Sequence, residues 1–304
     1  MTVLPLAVAH ALCLACLLVD AAARAVRLRL LVRSLGGSIA LPHALWANLV
    51  EDSAAALTPM RLGGTPARAI ALDRGKVGNS RAILIAFIES ALMAPLVVVV
   101  AAAIGIAFAP TWWREIAPHV GRSAEGAGRW TAIGLALGAL VWLAMRWLLP
   151  ERHHAMRRSL SQAWGDLRRL TATGLAAATA LTLVSVVARL AILPILTSTL
   201  VDGPPLGAVA LSSLVLLHSQ LLLPTPSGAG AIELGFLAGG IGVVGSPASG
   251  LLLAWRIYTT GFAIAGGLLV VLHRVIYVLT GAATAPVPGA TPAALDVEVR
   301  RSVR

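Results

Sequence analysis

Charged residues are scarce in this sequence: they make up 12% of the 304 residues, whereas 58% are hydrophobic and the mean hydropathy is +0.86. A soluble fold of this length cannot bury that much apolar surface, so the composition excludes a soluble globular protein and predicts an integral membrane protein. No polar stretch is long enough to form a separate soluble domain. We therefore expect a single transmembrane domain at residues 1–280 and a short, disordered cytoplasmic tail at residues 281–304.

Cysteines and catalytic motifs are also nearly absent. Cys13 and Cys16 lie in one apolar run, which excludes a secreted disulfide framework. Their spacing is that of a redox motif, but without a βαβ pattern we interpret them as small apolar residues on one helix face. The sequence has no Walker-type loop, no His-Glu-x-x-His and no Gly-x-Ser-x-Gly, and His153-His154 has no acid or cysteine at metal-ligand spacing. We expect no cofactor, no metal site and no enzymatic activity.

Positive charge exceeds negative charge, with 24 lysines and arginines against 13 acids and a net charge of +11. In a soluble protein this excess would suggest nucleic-acid binding. Here the basic residues separate apolar runs, which is typical of cytoplasmic loops that face anionic lipid headgroups. The expected partners are therefore membrane lipids, anionic ones among them, and not nucleic acid. The sequence leaves homo-oligomerisation open.

Several apolar runs are long enough to cross a membrane. The first, residues 3–19, has no basic residue before it and is followed by arginines, so we expect an uncleaved anchor with its N-terminus outside. Its helix is predicted to continue to Leu35, before Gly36-Gly37. The other long helices, each able to span about 30 Å of hydrocarbon, are predicted at residues 82–109, 130–149, 171–200 and 249–280.

Two shorter apolar runs end in clusters of proline and glycine. The second break, residues 223–233, reads Leu-Pro-Thr-Pro-Ser-Gly-Ala-Gly-Ala-Ile-Glu. The first break, residues 58–66, reads Thr-Pro-Met-Arg-Leu-Gly-Gly-Thr-Pro and follows a run at residues 42–57 that contains Glu51 and Asp52. Broken backbone is tolerated at membrane depth only where it is buried in protein or lines a wet cavity. We therefore interpret the two breaks as halves of one site.

The distribution of basic residues predicts how the broken regions lie in the membrane. If each enters and leaves on one side, 19 of the 24 lysines and arginines fall on one face, which is then cytoplasmic. The segments concerned are residues 24–40, 61–81, 146–169 and the tail from Arg274. The two breaks then open from opposite faces, which predicts re-entrant hairpins in an inverted repeat, with candidate repeats at residues 38–109 and 203–280. The predicted fold is an all-α polytopic membrane protein.

Isolated charges within the apolar runs are candidate site residues. Glu233 follows the glycines of the second break, where it would lie near the start of a half-helix and could take part in a site or merely cap that helix. Arg189 and Arg256 are single cations in long runs, and Glu233 and Glu89 are their natural partners. The alternative is that the arginine side chains extend to the membrane interface.

Arg61 and Arg68 flank the paired glycines Gly63 and Gly64 of the first break. Two guanidinium groups beside flexible backbone could bind a lipid phosphate bidentately. The alternative is an ordinary basic loop on the cytoplasmic side, and the sequence does not decide between the two.

The motifs also resemble those of a known family. The second break resembles the Pro-Thr-Pro-Gly-Gly-x-Gly-x-x-Glu signature of a flippase-like family that includes the transmembrane region of lysylphosphatidylglycerol synthases. The first break resembles the corresponding stretch of that family, and Arg256 with Thr259 resembles its Arg-x-x-Thr helix. This sequence departs from the family at Ser227, where glycine is usual, at Thr65, where glutamate is frequent, and at Ser90, where arginine is expected.

The resemblance implies a lipid transporter of the plasma (inner) membrane that moves a phospholipid or an isoprenoid- or hopanoid-type lipid between leaflets without ATP hydrolysis. The sequence has no counterpart of the soluble aminoacyl-transferring domain of the synthases, so we do not expect this chain to make lysylphosphatidylglycerol itself. Two alternatives stay open: a membrane scaffold for a lipid-modifying or glycolipid or hopanoid biosynthesis enzyme, and an enzyme that uses Glu233 as an acid or base. The predicted headgroup site comprises Arg61, Gly63, Gly64, Arg68, Pro226, Ser227, Gly228, Gly230, Glu233 and Arg256. Further polar residues at membrane depth are Glu51, Glu89, Arg189 and Thr259.

Overall fold

The fold was analysed in a computed structural model. It describes residues 3–73, 77–78, 81–108, 165, 168, 170–221, 223–237 and 246–279. These residues form helices joined by turns, together with one isolated β-bridge. Four helices are long and apolar enough to cross a membrane, so the chain is an all-α membrane protein.

Nine α-helices are described, in chain order. Their bounds are α1 Leu6–Ser34, α2 Leu41–Leu57, α3 Gly64–Asp73, α4 Arg81–Phe108, α5 Ala172–Thr197, α6 Leu206–Ser219, α7 Ala231–Gly235, α8 Ser246–Arg256 and α9 Phe262–Leu279. A π-helical turn, Ile257–Gly261, joins α8 to α9. The candidate spans are α1, α4, α5 and Pro247–Val270.

The helix bounds follow from local sequence signals. Pro42 occupies the first turn of α2, where its missing N–H costs nothing. Thr171 caps α5 by accepting a hydrogen bond from the backbone N–H of Gly174 at 3.1 Å. The helices α2 and α6, with 17 and 14 residues, both end where a break approaches. The sequence therefore located these elements within a few residues.

Most of the predicted long helices are confirmed. The helices α1, α4 and α5 match the predictions. The run predicted as one helix at residues 249–280 is interrupted by the π-helical turn. The predicted helix at residues 130–149, the tail at residues 281–304 and His153-His154 lie outside the described residues. The re-entrant hairpins and the inverted repeat stay predictions.

The centre of the fold is the pair α1 and α5, which make the most extensive helix contact. The helix α2 packs against α1, α3 and α9, and α6 packs against α5. Two apolar clusters result. One includes Leu28, Leu72 and Ile85, and the other includes Ile192 and Trp255. On α1, the charged residue Asp20 lies between Cys13, which belongs to the second cluster, and Leu28, which belongs to the first.

Candidate functional site

The two breaks contact each other through their backbones. Pro59 and Pro226 form an isolated antiparallel β-bridge. Beside it, the backbone N–H of Met60 donates a hydrogen bond to the carbonyl oxygen of Leu223, with 3.3 Å between N and O. The two segments are far apart in the sequence, so only the tertiary fold brings them together. The two predicted breaks are therefore in contact, and that they form one site stays a prediction.

Backbone strain is concentrated at this contact. In the described part of the chain, the only non-glycine residues with positive φ are Met60 (+51°), Arg61 (+58°) and Ser227 (+48°). This conformation costs an L-residue roughly 1–2 kcal/mol, and such strain is found most often at functional sites. The Ser227 hydroxyl donates a hydrogen bond to the carbonyl oxygen of Ala56 at 3.0 Å, which ties the strained residue to α2.

The strain at Ser227 can be measured by comparing two substitutions. Ser227→Gly and Ser227→Ala both remove the hydroxyl, but only glycine adopts this φ without steric cost. We expect Ser227→Gly to be more stable than Ser227→Ala by about 1 kcal/mol in unfolding measurements on the purified protein in detergent. The matched control is the exposed helical residue Ser90, where glycine should be the less stable of the two. The same order at both positions would contradict the strain at Ser227.

Glu233 caps a helix and pairs with Arg256, whereas its part in a binding site stays a prediction. Its Oε2 accepts a hydrogen bond from the backbone N–H of Gly230 at 2.7 Å, which caps the short helix α7. Its Oε1 lies 2.5 Å from Nη2 of Arg256. Nη1 of Arg256 donates a hydrogen bond to the carbonyl oxygen of Ser227 at 3.0 Å. The predicted Glu233–Arg256 pair is confirmed, and it fixes the second break to the end of α8.

The end of α8 carries polar groups without partners. Thr259, in the π-helical turn, donates a hydrogen bond to the carbonyl oxygen of Trp255 at 2.8 Å and so serves its own helix. Within the described part of the chain, five buried polar atoms here have no hydrogen-bond partner: Thr225 Oγ1, Trp255 Nε1, Arg256 Nε, Thr260 Oγ1 and Nη2 of Arg256, which has only its ion pair with Glu233. Buried polar groups are rarely left unpaired, so this part of the second break is suited to a polar ligand.

The glycines of the predicted site shape the breaks. Gly228 and Gly230 have φ of +69° and +86°, a backbone region that favours glycine. A Cβ on Gly63 would lie 2.7 Å from Cγ2 of Thr58, so the chain passes closest to α2 where it has no side chain. Gly64 is similarly close, with a Cβ there 3.0 Å from Cβ of Ala55. Headgroup contact at these glycines stays a prediction.

A network of ion pairs lies next to the first break. It joins α1, α2, α3, α4 and α5 through side chains that are buried or partly buried. In the described part of the chain its members are Asp20, Arg24, Arg27, Glu51, Asp52, Arg61, Arg68, Glu89 and Arg189. We call this set the ion-pair network.

One centre of the ion-pair network is Glu89 on α4. Its Oε1 accepts a hydrogen bond from Nε of Arg27 at 2.9 Å, and its Oε2 pairs with Arg68. Nη1 of Arg68 also lies 2.8 Å from Oε2 of Glu51. Nη1 of Arg27 donates to the hydroxyl of Thr182 on α5 at 3.0 Å. Five helices, α1 to α5, are therefore linked around one buried carboxylate.

The other centre is Asp52 on α2. Its carboxylate pairs with Arg24 and lies 3.5 Å from Nη2 of Arg61 and 3.5 Å from Nη2 of Arg189. Nε of Arg189 donates to Oδ2 of Asp20 at 2.7 Å. The prediction that Arg189 pairs with Glu89 or Glu233 is therefore wrong. The extensive packing of α1 on α5 gives Arg189 a nearer acid.

Arg68 also differs from its predicted position. It was expected at the mouth of the first break beside Arg61, but its side chain is only 3% exposed and it pairs with Glu51 and Glu89. The helix α3 begins at Gly64 and packs on α2, which turns Arg68 inward. Arg61 is 21% exposed and is the member of the pair that stays accessible.

Sequence reasoning missed several members of the ion-pair network. Arg24 and Arg27 were counted with a cytoplasmic segment, although the first helix was predicted to contain them, and their pairing with Glu51, Asp52 and Glu89 was not predicted. Asp20 and Asp52 were not assigned to the site. The available signal was the spacing of residues 20, 24 and 27, which places one acid and two arginines on the same face of a helix.

The ion-pair network lies about halfway along two candidate spans. Asp20 is the middle residue of the 29-residue helix α1. Ser185, near the middle of α5, donates a hydrogen bond from its hydroxyl to Asp20 at 2.5 Å. Charged groups at such depth are costly unless paired, and in membrane proteins they usually line functional pathways.

Comparison with known proteins gives one family match. The model of the family described as lysylphosphatidylglycerol synthase TM region matches residues 1–267. None of the curated proteins and none of the solved structures matches the chain significantly. The matched range contains both breaks and every member of the ion-pair network.

Proposed function

The chain belongs to the lysylphosphatidylglycerol synthase TM region family, and we propose that it moves a lipid between the two leaflets of its membrane without ATP hydrolysis. The lipid is a phospholipid or an isoprenoid- or hopanoid-type lipid. We propose a transporter and not an enzyme, since Glu233 is occupied by a helix cap and by Arg256.

The observation that carries the proposal is the contact between the two breaks. They meet through a short backbone bridge, with strained residues on both sides. A junction of this kind can separate without unfolding a long helix. Separation of the breaks would open a polar path for a headgroup, while the acyl chains stay in the hydrocarbon.

The Glu233–Arg256 pair supports a switching role in the same proposal. It links the second break to α8 by a contact between two charged side chains, 33% and 14% exposed. A lipid phosphate could replace the carboxylate as the partner of Arg256, whose Nε has no partner in the described residues. Headgroup binding would then release the second break.

The proposed setting is the plasma membrane, with the N-terminus outside and the C-terminus in the cytoplasm. This orientation puts most lysines and arginines of the basic segments on the cytoplasmic side, apart from Arg24, Arg27, Arg61 and Arg68, which belong to the ion-pair network. We also propose that the two broken regions are re-entrant and open from opposite faces, because α2 and α6 are short and both end at a break.

The test is leaflet exchange in liposomes that contain the purified protein and fluorescently labelled lipids. The wild type should accelerate exchange, and Glu233→Ala/Arg256→Ala should slow it roughly tenfold or more, because the double variant removes the switchable pair without leaving one buried charge unpaired. Ser198→Ala, an exposed substitution at the end of α5, is the matched control.

Equal exchange rates for the wild type and the double variant would contradict the proposed mechanism. Exchange at background for the wild type, together with stoichiometric copurification of a lipid-modifying enzyme from the native membrane, would favour the scaffold function instead.

A further inference from the structure

The ion-pair network contains one more arginine than it contains carboxylates. Within the described residues, its acids are Asp20, Glu51, Asp52 and Glu89. Its bases are Arg24, Arg27, Arg61, Arg68 and Arg189. An uncompensated cation is costly at membrane depth. One further negative charge would balance this set.

The imbalance is centred on Asp52, which three guanidinium groups share. Arg24 is the closest of them. Nη2 of Arg61 and Nη2 of Arg189 each lie 3.5 Å from an Asp52 oxygen, which is beyond the usual range of a charge-assisted hydrogen bond. The other partner of Arg61 is the uncharged side chain of Gln220, whose Oε1 accepts from Nη1 at 3.2 Å.

The two cations that lie 3.5 Å from Asp52 are also more exposed than Arg27 and Arg68, and Arg189 has Asp20 as a second partner, with 2.7 Å between its Nε and Oδ2 of Asp20. The side chains of Arg61 and Arg189 are 21% and 32% exposed, whereas those of Arg27 and Arg68 are 5% and 3% exposed. Arg61 belongs to the first break, and Gln220 directly follows α6, three residues before the second break. The accessible cations therefore lie beside the contact between the breaks.

We propose that Arg61 and Arg189, beside Asp52, bind one monoanion and that this anion is a phosphodiester. Its single charge matches the imbalance, and its two non-bridging oxygens can accept hydrogen bonds from two guanidinium groups at once. A phosphate monoester would add a second negative charge next to Asp52. The binding of a phosphodiester here does not depend on the proposed function. The further statement that this phosphodiester is the headgroup of a transported lipid rests on the proposed function.

Two substitutions balance the network in different ways. Gln220→Glu keeps the shape of a side chain whose oxygen is 3.2 Å from Arg61 and supplies a fifth carboxylate. Arg61→Gln removes the fifth cation. Both should therefore weaken anion binding. Ser198→Glu adds the same charge at an exposed position outside the network and is the matched control.

The experiment measures binding to the full-length protein in a neutral detergent. Three probes are titrated: dioctanoylphosphatidylglycerol, glycerophosphoglycerol, which has no acyl chains, and dioctanoylglycerol, which has no phosphate. Wild type and Ser198→Glu should bind the first probe equally, and Gln220→Glu and Arg61→Gln should bind it roughly thirtyfold more weakly or worse. Dioctanoylglycerol should not compete.

The outcomes separate the site from the transport function. Wild-type affinity in Gln220→Glu, or equal affinity for dioctanoylglycerol, would overturn the anion site, and Gln220→Glu decides the matter if Arg61→Gln does not fold. Glycerophosphoglycerol binding as tightly as the lipid would support a phosphodiester site that does not use the acyl chains. Binding as expected, with no leaflet exchange by the wild type, would support the site and contradict the proposed transport.

Discussion

In a Pro59→Cys/Pro226→Cys variant, oxidation is expected to abolish lipid exchange and reduction to restore it. The two positions form the antiparallel bridge between the breaks, and both prolines are exposed. Residues opposite each other in such a bridge have Cα atoms about 4.5–5.5 Å apart, which a disulfide can span. The cross-link would hold the breaks together, so the proposed opening could not occur. The measurement is leaflet exchange in liposomes before and after a reducing agent is added.

The background for this experiment is a protein in which Cys13 and Cys16 are replaced by alanine, since both are free thiols. The single variants Pro59→Cys and Pro226→Cys control for the loss of each proline. If the disulfide forms and exchange continues at the reduced rate, separation of the breaks is not part of transport. If no disulfide forms, the contact between positions 59 and 226 is contradicted.

Glu89→Gln is expected to destabilise the protein by about 3–5 kcal/mol, which is the usual cost of removing one partner from a buried ion pair. The side chain is 8% exposed and pairs with Arg27 and Arg68. The amide keeps the shape of the side chain but leaves two buried arginines without one of their carboxylates. Unfolding in detergent, followed by circular dichroism, measures the change.

The control is the neighbouring exposed residue, where Ser90→Ala should change stability by less than about 0.5 kcal/mol. The double variant Glu89→Gln/Arg68→Met also removes one partner of Glu89. It should cost less than the sum of the two single changes, because each change removes the charge that the other alone would leave unpaired. A change below about 1 kcal/mol for Glu89→Gln would show that Glu89 does not hold the helices together.

The departures from the family motifs have different structural consequences. Ser227 adopts φ +48°, which explains why glycine is usual there, and its hydroxyl makes a hydrogen bond that glycine cannot make. Thr65 and Ser90, where charges are expected in the family, are exposed. The ion-pair network uses neither position, and the first half of the chain supplies all of its acids.

The Glu233–Arg256 pair was predictable because both residues are isolated charges near one break. The partners of Arg189 were not. Choosing Asp20 over Glu89 requires knowing that α1 packs extensively on α5 and brings Asp20 within 2.7 Å of Arg189, and helix packing depends on side-chain shape along the whole contact.

By itself, the sequence determined the membrane class, most of the long helices and the two breaks, and it made Glu233 a candidate partner of Arg256. These follow from local properties, namely hydropathy, helix-breaking residues and the cost of isolated charge in hydrocarbon. Only the tertiary structure decided that the breaks touch at Pro59 and Pro226, that Arg68 is buried, and that five arginines share four acids. Those facts depend on contacts between residues distant in the chain, which no local pattern records. The second break, which the sequence marked as a site, is therefore one side of a junction beside which the charged residues lie mainly on helices α1 to α5.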